Sequence, residues 1–278
     1  MHGATRVLIA LLLSLGTYGG TALADAGGLA GQVTLMTGRG TASAADGAVR
    51  SLTTGDSVYS GEVISSGANS YVSLKFVDGG LVLLRPRTRF EIQDYSYTPP
   101  ATAAPMAATP TPIAPGTIGG AKPAIPAAPS VAAPPAQASS GDEGNGTTRA
   151  FFRLLKGSFR AVSGLIGKAN QDDYRVSTPV ATIGIRGTDY FALIIDAAYA
   201  KDPVLKSSLP PGISSEGGLY VEQYEGSTVV TNNAGQQTVV SMGQHLVTLG
   251  NGQQLHVKQP KLLTSDPPPD PKQMKCNH

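Results

Sequence analysis

Tryptophan is absent from the 278 residues, aromatic side chains make up 6% of them and charged ones 14%. That charge density leaves little for the paired acidic and basic faces of solvated helices. A net charge of +2 supplies no field for a polyanion, which excludes nucleic acid as a partner class. The single cysteine, Cys276, rules out an internal disulfide, and nothing near it in the polar tail would lower its pKa. The four histidines, His2, His245, His256 and His278, show neither H-x-x-x-H spacing nor a cysteine partner, so neither a metal nor a cofactor is expected. Asp172 and Asp173 are neighbours, and neighbours on a strand point to opposite faces, so they cannot converge on one substrate bond. No stretch combines an acid, a base and a nucleophile. No catalytic residue is nominated, and the chain is not read as an enzyme.

Glycine (34) and proline (21) are plentiful by contrast. Residues 1–24 read as a secretory signal: Arg6 gives a positive start, Val7 to Leu15 an apolar stretch, and Ala22-Leu23-Ala24 an A-x-A cleavage site. The apolar stretch is shorter than the roughly 20 residues of a spanning helix. No membrane span is expected after cleavage, and with no cysteine following the site no lipid anchor is expected there. The mature chain is placed in a periplasm or outside the cell. Residues 98–148 are built from Pro, Ala, Thr and Ser without a periodic apolar stripe, so they form an insertion or linker that cannot bury enough surface to offset its ordering entropy. It separates a first half, 25–97, from a second, 149–259, and a proline-rich tail, 260–278, closes the chain.

Both halves carry short apolar runs broken by turn signals about every ten residues. In the run from Tyr71 to Val77, Val72, Leu74 and Phe76 share a face opposite Ser73 and Lys75, and Asp78-Gly79 marks a tight turn. Asp196 to Gly218 reads as loop because Pro210-Pro211-Gly212 and Gly217-Gly218 resist regular structure. The fold class is all-β: a short-strand sandwich or a β-solenoid-like stack, with the Pro/Ala-rich insertion disordered.

The chain is organised around Phe151 to Tyr190. Lys156-Gly157-Ser158 reads as the turn of a hairpin. Downstream, Pro179, Ala181, Ile183 and Ile185 fall on one face and Val176, Thr178, Val180, Thr182 and Arg186 on the other. Gly184 and Gly187 interrupt this strand, so a bulge or bend is expected near Arg186. Arg186 itself is expected to pair with a carboxylate such as Asp189 or with strand-end carbonyls, and a binding role is its second reading. Tyr71, Tyr95, Tyr97, Tyr220 and Tyr224 flank the strands, and Tyr220 and Tyr224 join Arg186 as candidate binding residues.

The same stretch carries a family resemblance. Lys156-Gly157-Ser158-Phe159-Arg160, Gly164-Leu165-Ile166-Gly167-Lys168, Tyr174-Arg175-Val176 and the Thr178-Pro179-Val180-Ala181-Thr182-Ile183-Gly184-Ile185-Arg186-Gly187-Thr188 run resemble the FecR-type domain of bacterial envelope proteins. Gly55-Asp56-Ser57-Val58, Gly61-Glu62-Val63-Ile64 and Leu74 to Gly79 resemble its opening half. Val221 to Gly226 and Val240 to Gln244 resemble its closing segments. The resemblance implies protein contact, since family members relay an outer-membrane receptor signal to a cytoplasmic sigma factor. This chain lacks the family's cytoplasmic segment and membrane helix, so direct transmembrane signalling is not expected. The expectation is a non-enzymatic, sensory or regulatory module that docks an envelope protein through an open sheet edge. A β domain binding an envelope glycan is the alternative.

Overall fold

The structure, a computed structural model, describes residues 27–99 and 148–258. The signal segment, nearly all of the Pro/Ala-rich stretch and the tail lie outside the described residues. Before that stretch come β1 (Leu29–Thr37), β2 (Gly40–Ser43), β3 (Val49–Ser51), β4 (Ser57–Tyr59), β5 (Val63–Ser66), β6 (Tyr71–Phe76), β7 (Leu81–Leu84) and β8 (Arg89–Ser96). After it come β9 (Arg149–Lys156), β10 (Ser158–Val162), helix α1 (Leu165–Ala169), β11 (Tyr174–Ser177), β12 (Ala181–Ile194), a 3-10 turn (Tyr199–Lys201) and helix α2 (Pro203–Ser208). β13 (Leu219–Asn232), β14 (Gln237–Ser241), β15 (His245–Thr248) and β16 (Gln254–Val257) complete the described chain.

The all-β expectation holds, and the strands form one curled, open sheet. Its long path runs β3-β2-β5-β8-β9-β11-β12-β10-β7-β6-β1-β4, with β13 added to β12 and β14, β15 and β16 beyond it. Most strands are short, and the two longest lie at the centre, where β12 and β13 are each 14 residues long. They pair along almost their whole length, from Ala181 opposite Asn232 to Ile194 opposite Leu219. Leu219 to Gln223 and Thr228 to Thr231 are two stretches of the one strand β13.

This long ladder gives the molecule its shape. The first half of β12 is flanked by β11 and its second half by β10. One arm of the sheet (β11-β9-β8-β5-β2-β3) therefore leaves from one end of the ladder and the other arm (β10-β7-β6-β1-β4) from the other. The arms close on a common core. Phe76 of the second arm lies 5.0 Å from Phe152 of the first, and Phe90 of the first lies 5.3 Å from Phe159 of the second. Edge-on aromatic contacts of this kind add to the burial of the rings themselves.

Lys156-Gly157-Ser158 is not the turn of a hairpin. β9 pairs with β8 and β11, and β10 pairs with β7 and β12, so the chain changes arms at Gly157. Gly157 has φ +83°, and a Cβ there would press on Thr88, so the switch needs glycine. By contrast Asp78-Gly79 does close β6 onto β7, with Gly79 at φ +84°. The loop expected from Asp196 to Gly218 holds helix α2, capped by Asp202, whose Oδ1 accepts from the amides of Val204 and Leu205. Asp at the N-cap followed by Pro203 at the first helical position is a helix start that the surrounding prolines and glycines obscured. Leu205 and Leu209 from this segment pack with Phe191, Leu193, Tyr220 and Val247 in a second core on the outer face of the sheet. That cover is why Thr188 to Leu193 is buried without interruption, as in a strand enclosed on both faces.

Candidate functional site

Most of the Thr178–Thr188 run builds the crease of the sheet. Thr178 closes the turn from β11 to β12: its hydroxyl donates to Ala181 O at 2.7 Å and accepts from Ala181 N at 3.1 Å. Pro179 is exposed in this turn, not on the apolar face expected of it. Ala181, Ile183 and Ile185 enter the core, while Thr182 and Gly184 are half-buried on the other side. The β12–β13 register shifts after Arg186, where Gly187 adopts φ +60°. Opposite it Gly226 has φ +72°, and a Cβ there would collide with the Gly187 carbonyl. The bend expected near Arg186 is this bulge. Thr188 is buried, and its amide donates to Ser163 Oγ at 2.9 Å.

Arg186 does not pair with Asp189. Its side chain is exposed and makes no hydrogen bond or ion pair among the described residues. Asp189 is held instead by Arg160, whose Nε and Nη2 donate to its two carboxylate oxygens at 2.9 and 2.7 Å. The Arg160 guanidinium also lies over the Tyr224 ring, 4.3 Å from its centre. So Tyr220 and Tyr224 share a neighbourhood, and Arg186 stands apart from it.

That neighbourhood is a buried polar cluster. The Tyr220 hydroxyl is 2.7 Å from His245 Nδ1 and donates to Glu222 Oε2 at 3.3 Å. Burial raises the Tyr220 and Tyr224 hydroxyl pKa values, with the Glu222 charge adding to both. It also raises the Glu222 carboxyl above its ordinary 4.5 and lowers His245 below 6.5. Tyr220 is fully buried and its ring is taken up by Phe191 and His245, so it offers no face to a ligand. Tyr220, Glu222 and His245 satisfy one another, and Leu205 of α2 packs in the same apolar cluster as Tyr220.

An open site lies elsewhere, between the two ends of the curled sheet. β3 pairs only with β2 and β4 only with β1, so neither has a strand on its outer side. Between them runs a groove of about 500 Å³ whose walls include Ala42, Ala44, Ala45, Ala48, Val49 and Tyr59. Side chains stand in for the missing ladder: Arg50 Nη2 donates to Ser57 O at 2.6 Å and to both Glu62 oxygens at 2.9 Å, and Glu62 Oε2 accepts from Tyr59 N. Val49 is 65% exposed at the rim.

No family model matches the chain, and no curated protein does. Among solved structures, two crystal structures of a candidate anti-sigma factor from Parabacteroides distasonis, at 2.50 and 1.65 Å resolution, are similar to it at 11% and 12% identity. Both alignments cover 72% of this chain, with TM-scores of 0.38 and 0.37, and the chain spans 61% of the length of those proteins. A cell surface anchoring domain is similar at 30% identity over 23% of this chain and 83% of that one, with a TM-score of 0.22.

Among the described residues no group of three or more His, Cys, Asp or Glu is placed to hold a metal ion, and no helix is long and apolar enough to cross a membrane. The groove had no counterpart in the sequence reading. Its walls come from the small residues of Thr41 to Val49, which match no strand period, and from Tyr59 on a strand three residues long.

Proposed function

We propose that this chain is an exported, non-enzymatic interaction module of the bacterial envelope, of the FecR type, which acts by taking an extended segment of another envelope protein into the slot between β3 and β4. The observation that carries this reading is the slot itself: the unpaired edge of β3, facing β4 across an apolar groove of about 500 Å³. The β3 edge provides the backbone donors and acceptors of strand addition, on β4 Ser57 O and Tyr59 N are held by Arg50 and Glu62, and the side-chain pockets between them set which sequences fit. The slot is short, because β3 and β4 have three residues each. A contact of that size belongs with transient signalling interfaces, below the area of stable complexes. The glycan alternative is the weaker one. Tyr95 and Tyr220 are buried and Tyr71, Tyr97 and Tyr224 half-buried, so the tyrosines do not line a groove as an exposed stacking platform.

Photocrosslinking in cells tests the reading. A photoreactive residue at Val49 should give a discrete adduct with an envelope protein, and one at Val239, equally apolar and exposed on β14, should not. Adducts of the same pattern from both positions, or none from Val49, would overturn it.

A further inference from the structure

The groove borders the start of β5 at Glu62, and a second cleft begins just past its end at Ala68. This cleft, of about 260 Å³, is lined among others by Asn69, Arg85, Arg87, Lys156, Asp196 and Tyr199. Two exposed cations, Arg87 and Lys156, thus stand with one carboxylate, and Asp196 Oδ1 is engaged by the amides of Ala198 and Tyr199. The Arg87 and Lys156 side chains are exposed and form no hydrogen bond or ion pair among the described residues. Arg85 reaches underneath, buried, with its guanidinium 5.7 Å from the centre of the Phe191 ring.

The floor is rigid. Buried Ser66 donates to Arg85 O at 2.5 Å and accepts from Thr88 N at 3.0 Å, while Thr88 Oγ1 bonds both the amide and the carbonyl of Ser158 at 3.0 and 2.9 Å. Three turns from separate parts of the chain are bolted together by hydroxyls. On this floor Arg87 adopts φ +59°, the one non-glycine residue with positive φ among the described residues, held by its amide to Gly67 O at 3.0 Å. Left-handed backbone is strained for a side chain such as arginine, and strain that persists on a well-determined scaffold points to use. Here it aims a guanidinium at the cleft.

We propose that this cleft binds an oxyanion, a phosphate or carboxylate, carried on a body no larger than one sugar ring. Arg87 supplies a planar fork for the anion and Lys156 a point charge, with Asn69 and Tyr199 as polar neighbours for the ring. The volume falls below that of pockets for drug-sized ligands, which sets the limit on the body.

Calorimetric titration of the full chain with D-glucose 6-phosphate, D-glucuronate and D-glucose tests it. At least one of the two anions should bind saturably, and which one distinguishes phosphate from carboxylate. Glucose should not bind. Binding should weaken with added salt, and Arg87→Glu with Lys156→Glu should lower affinity by about tenfold or more, since charge-assisted hydrogen bonds are lost. Arg87→Gly removes both the cation and the strain, so it should melt at or above the parent temperature and bind weakly. No binding of either anion, equal binding of glucose, or undiminished binding by a well-folded Arg87→Gly protein would overturn the proposal. The Val49 crosslink does not depend on this outcome.

Discussion

Asp189 meets Arg160 through the sheet, not along its own strand. Asp189 lies opposite Val162 and Arg160 opposite Phe191, so the pair is diagonal across the β10–β12 ladder and within reach of a long side chain. The same outer face carries Tyr220, Glu222 and, directly opposite Glu222, His245. Burial holds His245 below its ordinary 6.5, so as pH falls the unfolded chain takes up a proton there that the folded chain resists. The unfolded state then binds more protons, and stability falls with acidification below about pH 6.5. Glu222 works in the opposite sense, because its raised pKa lets the folded state keep a proton as pH rises from 4.5. Thermal melts from about pH 7.5 to 5.5 should show wild type losing stability on acidification and His245→Gln losing less over the same window. Parallel curves would remove His245 from the account. None of this cluster could be read beyond the choice of Tyr220 and Tyr224 as candidates. Strand alternation put Tyr220, Glu222 and Tyr224 on one face, but the partners Arg160, Asp189 and His245 arrive from other strands. That is also why Arg186, nearer to Asp189 in sequence, was assigned to it.

At the scale of elements, the β12–β13 ladder was the most legible part and also the place where its length was missed. The alternation of Ala181, Ile183 and Ile185 and the glycine at 187 gave the strand and its bulge. Glu225-Gly226-Ser227 carries no strand signal of its own, and Gly226 lies across from the Gly187 bulge inside one continuous strand. Gly226→Ala should therefore be costly, because it forces a Cβ into left-handed backbone and against the Gly187 carbonyl. A loss of about 2–4 kcal/mol in denaturant unfolding is expected, and one below about 0.5 kcal/mol would mean the crease tolerates a wider opening. β9 and β10 show the limit of local reading. A glycine turn between two apolar runs has the same signature whether the runs pair with each other or with different neighbours, and only the long-range ladders decide.

At the scale of the whole molecule, β8 and β9 are adjacent antiparallel strands, with Ser96 opposite Arg149. Residues 97–148 thus connect neighbours in one sheet. Because loop length enters stability only logarithmically, deleting residues 102–140 should shift the unfolding free energy by no more than about 1–2 kcal/mol. A larger loss in thermal or urea melts would show that the segment contributes packing of its own. The binding groove and the basic cleft sit at opposite ends of β5, so both can be occupied at once without contact between their ligands.

The order in which the strands occur along the chain has a further consequence. Two borders of the sheet, β7 and β8, are completed only by β10 and β9. A polypeptide that stops before residue 148 keeps both borders raw, including Phe90 and Ile92 beside one of them. Such a fragment is fated to clump with its own kind, and during refolding of the intact chain these borders must wait for sequence far downstream, which makes acquisition of the native state slow and vulnerable to intermolecular capture.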